Sequence, residues 1–213
     1  MDRVATSLLL VACSLLFASV LASDPDPLQN LCVADLNSTV SMNGFACKQT
    51  VSEEDFISRL LSSVQPVTTP DVFVVTLLNV EQFPGLNTAG ISLARGEMGP
   101  GAVNSPHVHP RSTEVFFLLE GKVQAGFVSS NNLFSRTLEK GNVFVFPRGL
   151  VHFQINLDDA HPARFLAVFN SQNPGAERLG STLFGSGISD EVLKKSFKLN
   201  EQTISQLRKE FTG

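Results

Sequence analysis

The chain has 213 residues, of which 43% are hydrophobic, so it is long enough to bury a full core as one domain. Its formal net charge of −4 and the lack of any run of lysine or arginine argue against nucleic acids and anionic membrane surfaces as partners. It contains no tryptophan and no tyrosine, which excludes a radical relay or a proton donor built on tyrosine.

Residues 1–22 have the pattern of a secretory signal peptide. Arg3 supplies the positive charge, an apolar stretch runs from about Val4 to Leu21, and Ala22 suits cleavage before Ser23. A transmembrane anchor is the alternative, but serine and threonine interrupt the apolar run and no basic flank follows it. We therefore expect a protein that is secreted to the extracellular space.

Export determines how the cysteines are interpreted. Cys13 lies in the signal peptide and would be removed with it, so Cys32 and Cys47 remain as a pair in an oxidising compartment. A disulfide between them would stabilise the fold by roughly 3 kcal/mol in the chain-entropy model, and the alternative is two unpaired buried thiols. Asn37 begins the only N-glycosylation sequon of the chain, inside this loop, and we expect it to be modified.

The residues after the cleavage site predict an extended arm at 23–30 and then a short helix. Ser52 would cap this helix, with acidic residues in its first turn. An apolar side would be formed by Phe56, Leu60 and Leu61. The stretch from Ser63 to Pro70 has the character of a loop.

From Asp71 onward, short apolar runs alternate with turn signals. The predicted strands are Val72–Val80, Gly90–Met98, Glu114–Glu120, Val123–Ser129, Leu133–Leu138, Asn142–Phe146, His152–Leu157 and Ala163–Ser171. Many short strands at this spacing indicate an all-β barrel or jelly roll. Gly121 and Gly141 would take the positive φ that tight turns need, and Gly149 would let the chain bend before His152.

Several strands, such as Val115–Leu119 and Val143–Phe146, are apolar on both faces. A barrel buries only the inner face, so the outer face must be covered by a second layer, by helices or by another subunit. The predicted organisation is a signal peptide at 1–22, an N-terminal extension with a disulfide and a short helix at 23–62, and a barrel domain with C-terminal helices at 63–213.

After a loop-rich stretch at 173–187, two helices are predicted at the C-terminal end, Asp190–Phe197 and Glu201–Phe211. Asn200 is a suitable N-cap for the second helix. Its apolar stripe consists of Ile204, Leu207 and Phe211. The stripe would pack against its own barrel or, as we prefer, against another subunit.

Two segments carry residues suited to chemistry. In residues 101–121, His107 and His109 are two positions apart, which places both imidazoles on one face of an extended strand. Glu114 follows at an odd spacing, so it can join them only if the chain breaks register at 110–112, where a turn or bulge is suited. In residues 141–156, His152 stands on a strand entered through a turn. Two spaced patterns thus account for three of the four histidines.

The two segments together resemble the motifs of germin and germin-like proteins in the cupin superfamily. The first motif reads G, five residues, H-x-H, a short gap, E, six residues, G, and the second reads G, five residues, P-x-G, two residues, H, three residues, N. The matching positions are Gly101, His107, His109, Glu114, Gly121, Gly141, Pro147, Gly149, His152 and Asn156. Ten specified positions at fixed spacing make the match highly specific.

The resemblance implies a cupin β-barrel or jelly roll, an N-terminal disulfide and one manganese ion per subunit. Its ligands would be His107, His109, Glu114 and His152. It also implies a homohexamer built as a trimer of dimers, located in the plant apoplast or cell wall. The ligand set alone permits manganese, iron, zinc, nickel or copper. Four protein ligands leave two octahedral positions open for small anions and dioxygen species.

The resemblance also bears on the reaction. Germin oxalate oxidases have two asparagines near the metal. Asn104 matches one of them, although it could instead simply cap a turn. At the position of the other asparagine, this chain has Ala94. A methyl group cannot donate the hydrogen bond that an amide gives, a loss of about 1.5–3 kcal/mol for a charged substrate. We therefore expect manganese-dependent superoxide dismutation with weak or no oxalate oxidase activity. The alternatives are an oxalate oxidase that produces hydrogen peroxide and a metal-stabilised binding or structural protein without turnover.

Four other polar residues have simple structural interpretations. Gln154 and Asn156 share the strand parity of His152, so they would either hydrogen-bond near the ligands or pack within the barrel. Arg111 is interpreted as a solvated or interface charge. His161 lies in an acidic loop and is interpreted as a surface residue.

Overall fold

Ten β-strands form two five-stranded antiparallel sheets in the part of the chain that the computed structural model describes, residues 31–40 and 44–212. The predicted signal peptide and Cys13 lie outside these residues. The strands are β1 (Phe73–Leu78), β2 (Ser92–Met98), β3 (Val103–Val108), β4 (Glu114–Glu120), β5 (Lys122–Ser129), β6 (Asn132–Glu139), β7 (Val143–Phe146), β8 (His152–Asn156), β9 (Ala163–Phe169) and β10 (Glu177–Arg178). The first sheet has the order β1-β2-β9-β4-β7, and the second has the order β10-β3-β8-β5-β6.

The two sheets pack face to face across one hydrophobic core. Phe116 and Leu118 of β4 come from the first sheet, and Val123 and Ala125 of β5 come from the second; none of the four has measurable exposure. Along β4 the residues between them point outward, as the two-residue period of a strand requires. The predicted all-β jelly roll is therefore confirmed.

The outer face of β4 and β7 is apolar and accessible in the single chain. Val115, Phe117, Val143 and Val145 are between 36% and 56% exposed. These are the two-faced strands that the sequence indicated, so the requirement for a covering layer on this face applies to the folded chain as well.

The short helix predicted after Ser52 is instead a 3₁₀ turn at Glu53–Phe56, and a second one follows at Leu60–Ser63. Ser52 is the N-cap, as predicted. Its backbone N–H donates to Asp55 Oδ2 over 3.0 Å. The predicted apolar side is not buried: Phe56 is 52% exposed. A short helix depends on burying such a side, and without it the chain becomes extended at Ile57.

Two strands were absent from the predicted list, although the spacing of His107 and His109 implies an extended chain at β3. β3 contains Pro106 and polar residues, which weaken a strand signal, and β10 is only two residues long. β10 lies in the predicted loop at 173–187, together with one π-helical turn at Ser181–Gly185. Three strands of the first sheet, β1, β2 and β9, are each shorter than predicted.

The predicted disulfide between Cys32 and Cys47 is present, with the two Cα atoms 4.8 Å apart. Asn87 secures this arm to the domain, because its Nδ2 donates to the carbonyl of Phe45 over 2.9 Å and lies 3.2 Å from Cys32 Sγ. The backbone N–H of Ala34 adds a bond to the carbonyl of Pro84.

The C-terminal helices have the predicted bounds, α1 at Asp190–Phe197 and α2 at Glu201–Phe211. Asn200 caps α2 by accepting from the backbone N–H of Thr203 over 2.8 Å. Of the apolar stripe, Ile204 is fully buried within the chain, whereas Phe211 remains 37% exposed beside the ring of Phe184. Within the described residues, no helix combines the length and the apolar character needed to cross a membrane.

Candidate metal centre

The structure brings the four predicted ligands together where the two sheets meet. His107 on β3 and His152 at the start of β8 are paired in register within the second sheet. Glu114 is the first residue of β4 in the first sheet. His109 follows immediately after β3. All four residues are buried, and one donor atom from each lies within 4.8 Å of the others.

The predicted register break between His109 and Glu114 is a turn that carries the chain from one sheet to the other. Asn170, just after β9, holds this turn: its Oδ1 accepts from Ser112 Oγ at 3.0 Å and from the backbone N–H of Thr113 at 2.8 Å. Glu114 can therefore face the histidines although its spacing from His109 is odd.

A second irregularity lies within β3. The register of β3 against β8 shifts between Asn104 and His107. Residues three positions apart in a regular strand point to opposite faces, yet Asn104 and His107 are both more than nine-tenths buried. The bulge thus turns both side chains toward the interior.

Each imidazole is oriented by a backbone carbonyl. Nδ1 of His107 bonds to the carbonyl of Ser105 and Nδ1 of His152 to that of Leu150, both over 2.8 Å, and Nδ1 of His109 bonds to the carbonyl of Gly175. A carbonyl oxygen only accepts, so each Nδ1 must donate its proton. Each Nε2 is then available as a ligand atom, as is typical of metal-binding histidines.

The charges in the site are set by burial and by these contacts. Burial, followed by the nearby His152 ring, lowers the pKa of His107 from 6.5 to about 4. Burial alone would raise the pKa of Glu114, but the neighbouring His109 and His152 outweigh it and lower that pKa from 4.5 to about 2. At neutral pH the site therefore contains a neutral His107 and an ionised Glu114.

The donor set fits a divalent cation. Nε2 of His152 is buried and has no hydrogen-bond partner among the described residues, although Glu114 Oε2 lies 3.4 Å away. Nε2 of His109 lies 3.1 Å from the same oxygen. A cation among these atoms would satisfy the unpartnered nitrogen of His152 and bind the ionised carboxylate of Glu114.

Phenylalanine rings enclose the ligands. Phe146 stacks on His152 with ring centroids 4.5 Å apart, and Phe169 meets the edge of His109 at 4.7 Å. The most exposed ligand, His109, is only 8% exposed. The rings therefore keep most water away from the site and fix the planes of two imidazoles.

Asn104 does not cap a turn. It lies in β3, is 7% exposed, and its Nδ2 donates to Gln154 Oε1 over 2.7 Å, while its Oδ1 lies 3.5 Å from Nη1 of Arg178. Nε2 of Gln154 has no hydrogen-bond partner among the described residues. Ala94, the other position considered for an asparagine, is a buried member of the apolar core.

The remaining polar residues have separate functions. Asn156 is structural, because its Nδ2 donates to the carbonyls of Gly99 and His161, each over 2.9 Å. The His161 side chain is 77% exposed, as expected for a surface residue. Arg111 is exposed as well, but it is not simply solvated, because its guanidinium bonds to Asn173.

Comparison with known proteins agrees with this fold and site. A cupin family model matches residues 60–205. Germin-like protein 8-2 of Oryza sativa subsp. japonica is 47% identical over 215 residues, which cover 96% of this chain and 97% of that protein. Germin-like protein subfamily 2 member 1 of Arabidopsis thaliana is 47% identical over 212 residues, with 96% and 95% covered. A solved structure of an oxalate oxidase superposes with a TM-score of 0.84 at 41% identity, covering 90% of this chain and 99% of that one.

Proposed function

The chain belongs to the germin-like proteins of the cupin family, and on that premise we propose that it is a secreted manganese protein that dismutates superoxide. The observation that carries the proposal is the buried cluster of three histidines and one carboxylate with donor atoms within 4.8 Å of one another. The signal pattern at residues 1–22 supports secretion, and the family supports the plant apoplast or cell wall as the location. A function in defence or wall development would be consistent with this.

Manganese suits the donor set because that set contains nitrogen and oxygen but no thiolate. Nε2 atoms of His107, His109 and His152 and the carboxylate of Glu114 would hold the ion. When bound, manganese supplies one-electron redox chemistry, which converts two superoxide anions and two protons to dioxygen and hydrogen peroxide.

The protein residues favour a small anion. Neutral imidazoles and a single carboxylate offset only one of the two charges of a divalent ion, so the site keeps a positive field that attracts superoxide. Phe146 and Phe169 pack against His152 and His109 and offer no hydrogen-bond donor to a dicarboxylate.

Oxalate oxidation is the second candidate, because the solved oxalate oxidase is similar over nearly all of its length. We rank it below superoxide dismutation for two reasons. Ala94 is buried in the core and offers no hydrogen-bond donor. The amide of Asn104 already bonds to Gln154, so an oxalate carboxylate would have to compete for it.

A metal-stabilised protein without turnover is the third candidate. The low exposure of the four ligands, from 1% at His152 to 8% at His109, favours it, because a substrate must reach the ion to react. The metal would then serve only to hold the sheets together.

The test is metal analysis of the purified secreted protein, followed by superoxide and oxalate assays on the same sample. We expect close to one manganese per subunit, superoxide dismutation that is lost on metal removal and restored by manganese, and little hydrogen peroxide from oxalate. Robust peroxide production from oxalate would reverse our ranking of the two reactions. A fully loaded protein inactive in both assays would establish the non-catalytic candidate.

We also propose that the protein assembles as a homohexamer. The accessible apolar face formed by Val115, Phe117, Val143 and Val145 supports a covering subunit. Truncation after Asn200, which removes α2, should lower the assembly order measured by light scattering. An intact monomer at working concentrations would contradict the proposal.

A further inference from the structure

Arg111 joins the turn between β3 and β4 to the turn that follows β9. It lies two residues after the ligand His109. Its Nε donates to the carbonyl of Asn173 over 2.8 Å, and its Nη2 donates to Asn173 Oδ1 over 3.1 Å. Its backbone N–H donates to the carbonyl of Pro174 over 3.2 Å. Three hydrogen bonds thus fix residues 173–174 against the chain that carries His109.

Gly175 is the next residue of this turn, and it contacts both Arg111 and His109. Its carbonyl accepts from Nδ1 of His109. It has a φ of +70°, and a Cβ at this position would lie 3.0 Å from Arg111 Nη2 and 3.1 Å from Pro110 Cγ. The guanidinium therefore lies directly against the α-carbon of Gly175, so this carbonyl cannot move far without disturbing Arg111.

His109 depends on this distant contact more than the other two histidines depend on theirs. His107 and His152 bond to carbonyls only two residues earlier in the chain, that of Ser105 within β3 and that of Leu150 just before β8. His109 lies beyond the end of β3, and its carbonyl partner is 66 residues further along the chain. After Gly175, the pairing of β10 with β3 holds the chain, and before Gly175, the bonds of Arg111 to residues 173–174 hold it.

We propose that Arg111 is a positioning residue for the metal centre, which holds the carbonyl of Gly175 against His109 and so fixes the tautomer and direction of that ligand. The inference rests on the metal site of the proposed function. Partners that orient a ligating histidine typically contribute ten- to a hundredfold to metal affinity. Loss of the guanidinium should therefore show as faster release of the metal, with little effect on the fold.

The experiment compares three variants of the full secreted protein with the unmodified one. Arg111→Gln removes the charge and cannot make both bonds to Asn173. Arg111→Lys keeps the charge and one donor. Arg136→Gln is the matched control, because Arg136 is an exposed arginine on β6, at the opposite edge of the second sheet from β10, and loses the same charge.

Each protein is loaded with manganese, and its release to an excess of chelator is timed; unfolding of the metal-free proteins is measured in parallel. We expect release to be about ten- to a hundredfold faster in Arg111→Gln, intermediate in Arg111→Lys, and unchanged in Arg136→Gln. The denaturation midpoint of the metal-free Arg111→Gln protein should match that of Arg136→Gln.

Equal release rates in Arg111→Gln and the unmodified protein would overturn the inference and leave the proposed function intact. Faster release together with a large drop in the metal-free midpoint would also overturn it, because Arg111 would then stabilise the fold in general. An unmodified protein that takes up no manganese would overturn the proposed function and this inference with it.

Discussion

The interior between the two sheets contains two regions of opposite character that are built from the same strands. On β4, Glu114 faces the metal centre, while Phe116 and Leu118 further along the same face belong to the apolar core. The core residues bury hydrocarbon and stabilise the fold. The ligand residues are buried polar groups, one of them with a nitrogen that lacks a partner among the described residues, and such groups destabilise a fold until they are satisfied. The apolar core and the candidate metal site thus occupy separate ends of one interior.

We expect substitutions in the apolar core to lower the free energy of unfolding of the metal-free protein more than substitutions among the ligands do. Phe116→Ala should have the largest effect, a loss of about 3–5 kcal/mol, because the ring is fully buried. Denaturation followed by far-ultraviolet circular dichroism suits a chain without tryptophan or tyrosine. Phe134→Ala on β6 is the control, since that ring is 50% exposed and its loss should cost much less. Equal losses in the two variants would contradict the division.

The effect of pH should be smaller for each pH unit, and it should originate in the ligand region. His107 has a pKa of about 4 in the folded chain and 6.5 otherwise, so between these values the unfolded chain binds the proton and the folded chain does not. The metal-free protein should lose up to about 1.4 kcal/mol per pH unit as pH falls from 6.5 toward 4.

Glu114 continues this trend at lower pH. Its folded pKa of about 2 lies below its ordinary 4.5, so the stability that it contributes is lost as pH falls from 4.5 toward 2. Denaturation at a series of pH values tests both windows. His161→Ala should leave the first window unchanged because that residue is on the surface, whereas a flat profile between pH 6.5 and 4.5 would show that His107 is not held neutral by burial.

The smallest change in metal-free stability is expected for His109→Ala, about 1 kcal/mol, because the lost contacts with Phe169 and with the carbonyl of Gly175 are partly offset by removal of a buried polar group. Its metal content, in contrast, should fall severely. Metal analysis and denaturation of the same preparation test both parts, with His161→Ala as the control. Full manganese occupancy in His109→Ala would show that the ligand assignment is wrong.

Local sequence patterns predicted much of this structure. The strands from β4 to β8, the cap at Asn200 and the disulfide between Cys32 and Cys47 all depend on residues near one another in sequence or on the redox state of one compartment. The ligands were also accessible to this reasoning. The spacing of His107 and His109 follows strand parity, and the register break before Glu114 was located correctly at 110–112.

What sequence could not predict are the contacts that join distant turns. The carbonyl of Gly175 that orients His109, and the side chain of Asn170 that holds the crossing turn, lie about sixty residues from the segments they support. No local propensity encodes such a pair. The bulge in β3 was missed for a related reason, because it depends on pairing with β8. The short helix after Ser52 was wrong because a good cap cannot replace burial.

The placement of Glu114 in one sheet and of His107 and His152 in the other has a consequence for hydrogen exchange. A bound ion would connect β4 to β3 and β8, so the sheets could not separate at this end while the ion stays in place. Amide protons at the starts of β4 and β8, which can exchange through independent local openings in the metal-free chain, would then exchange only through one shared opening. Loading with metal should therefore slow both sets together, and by the same factor.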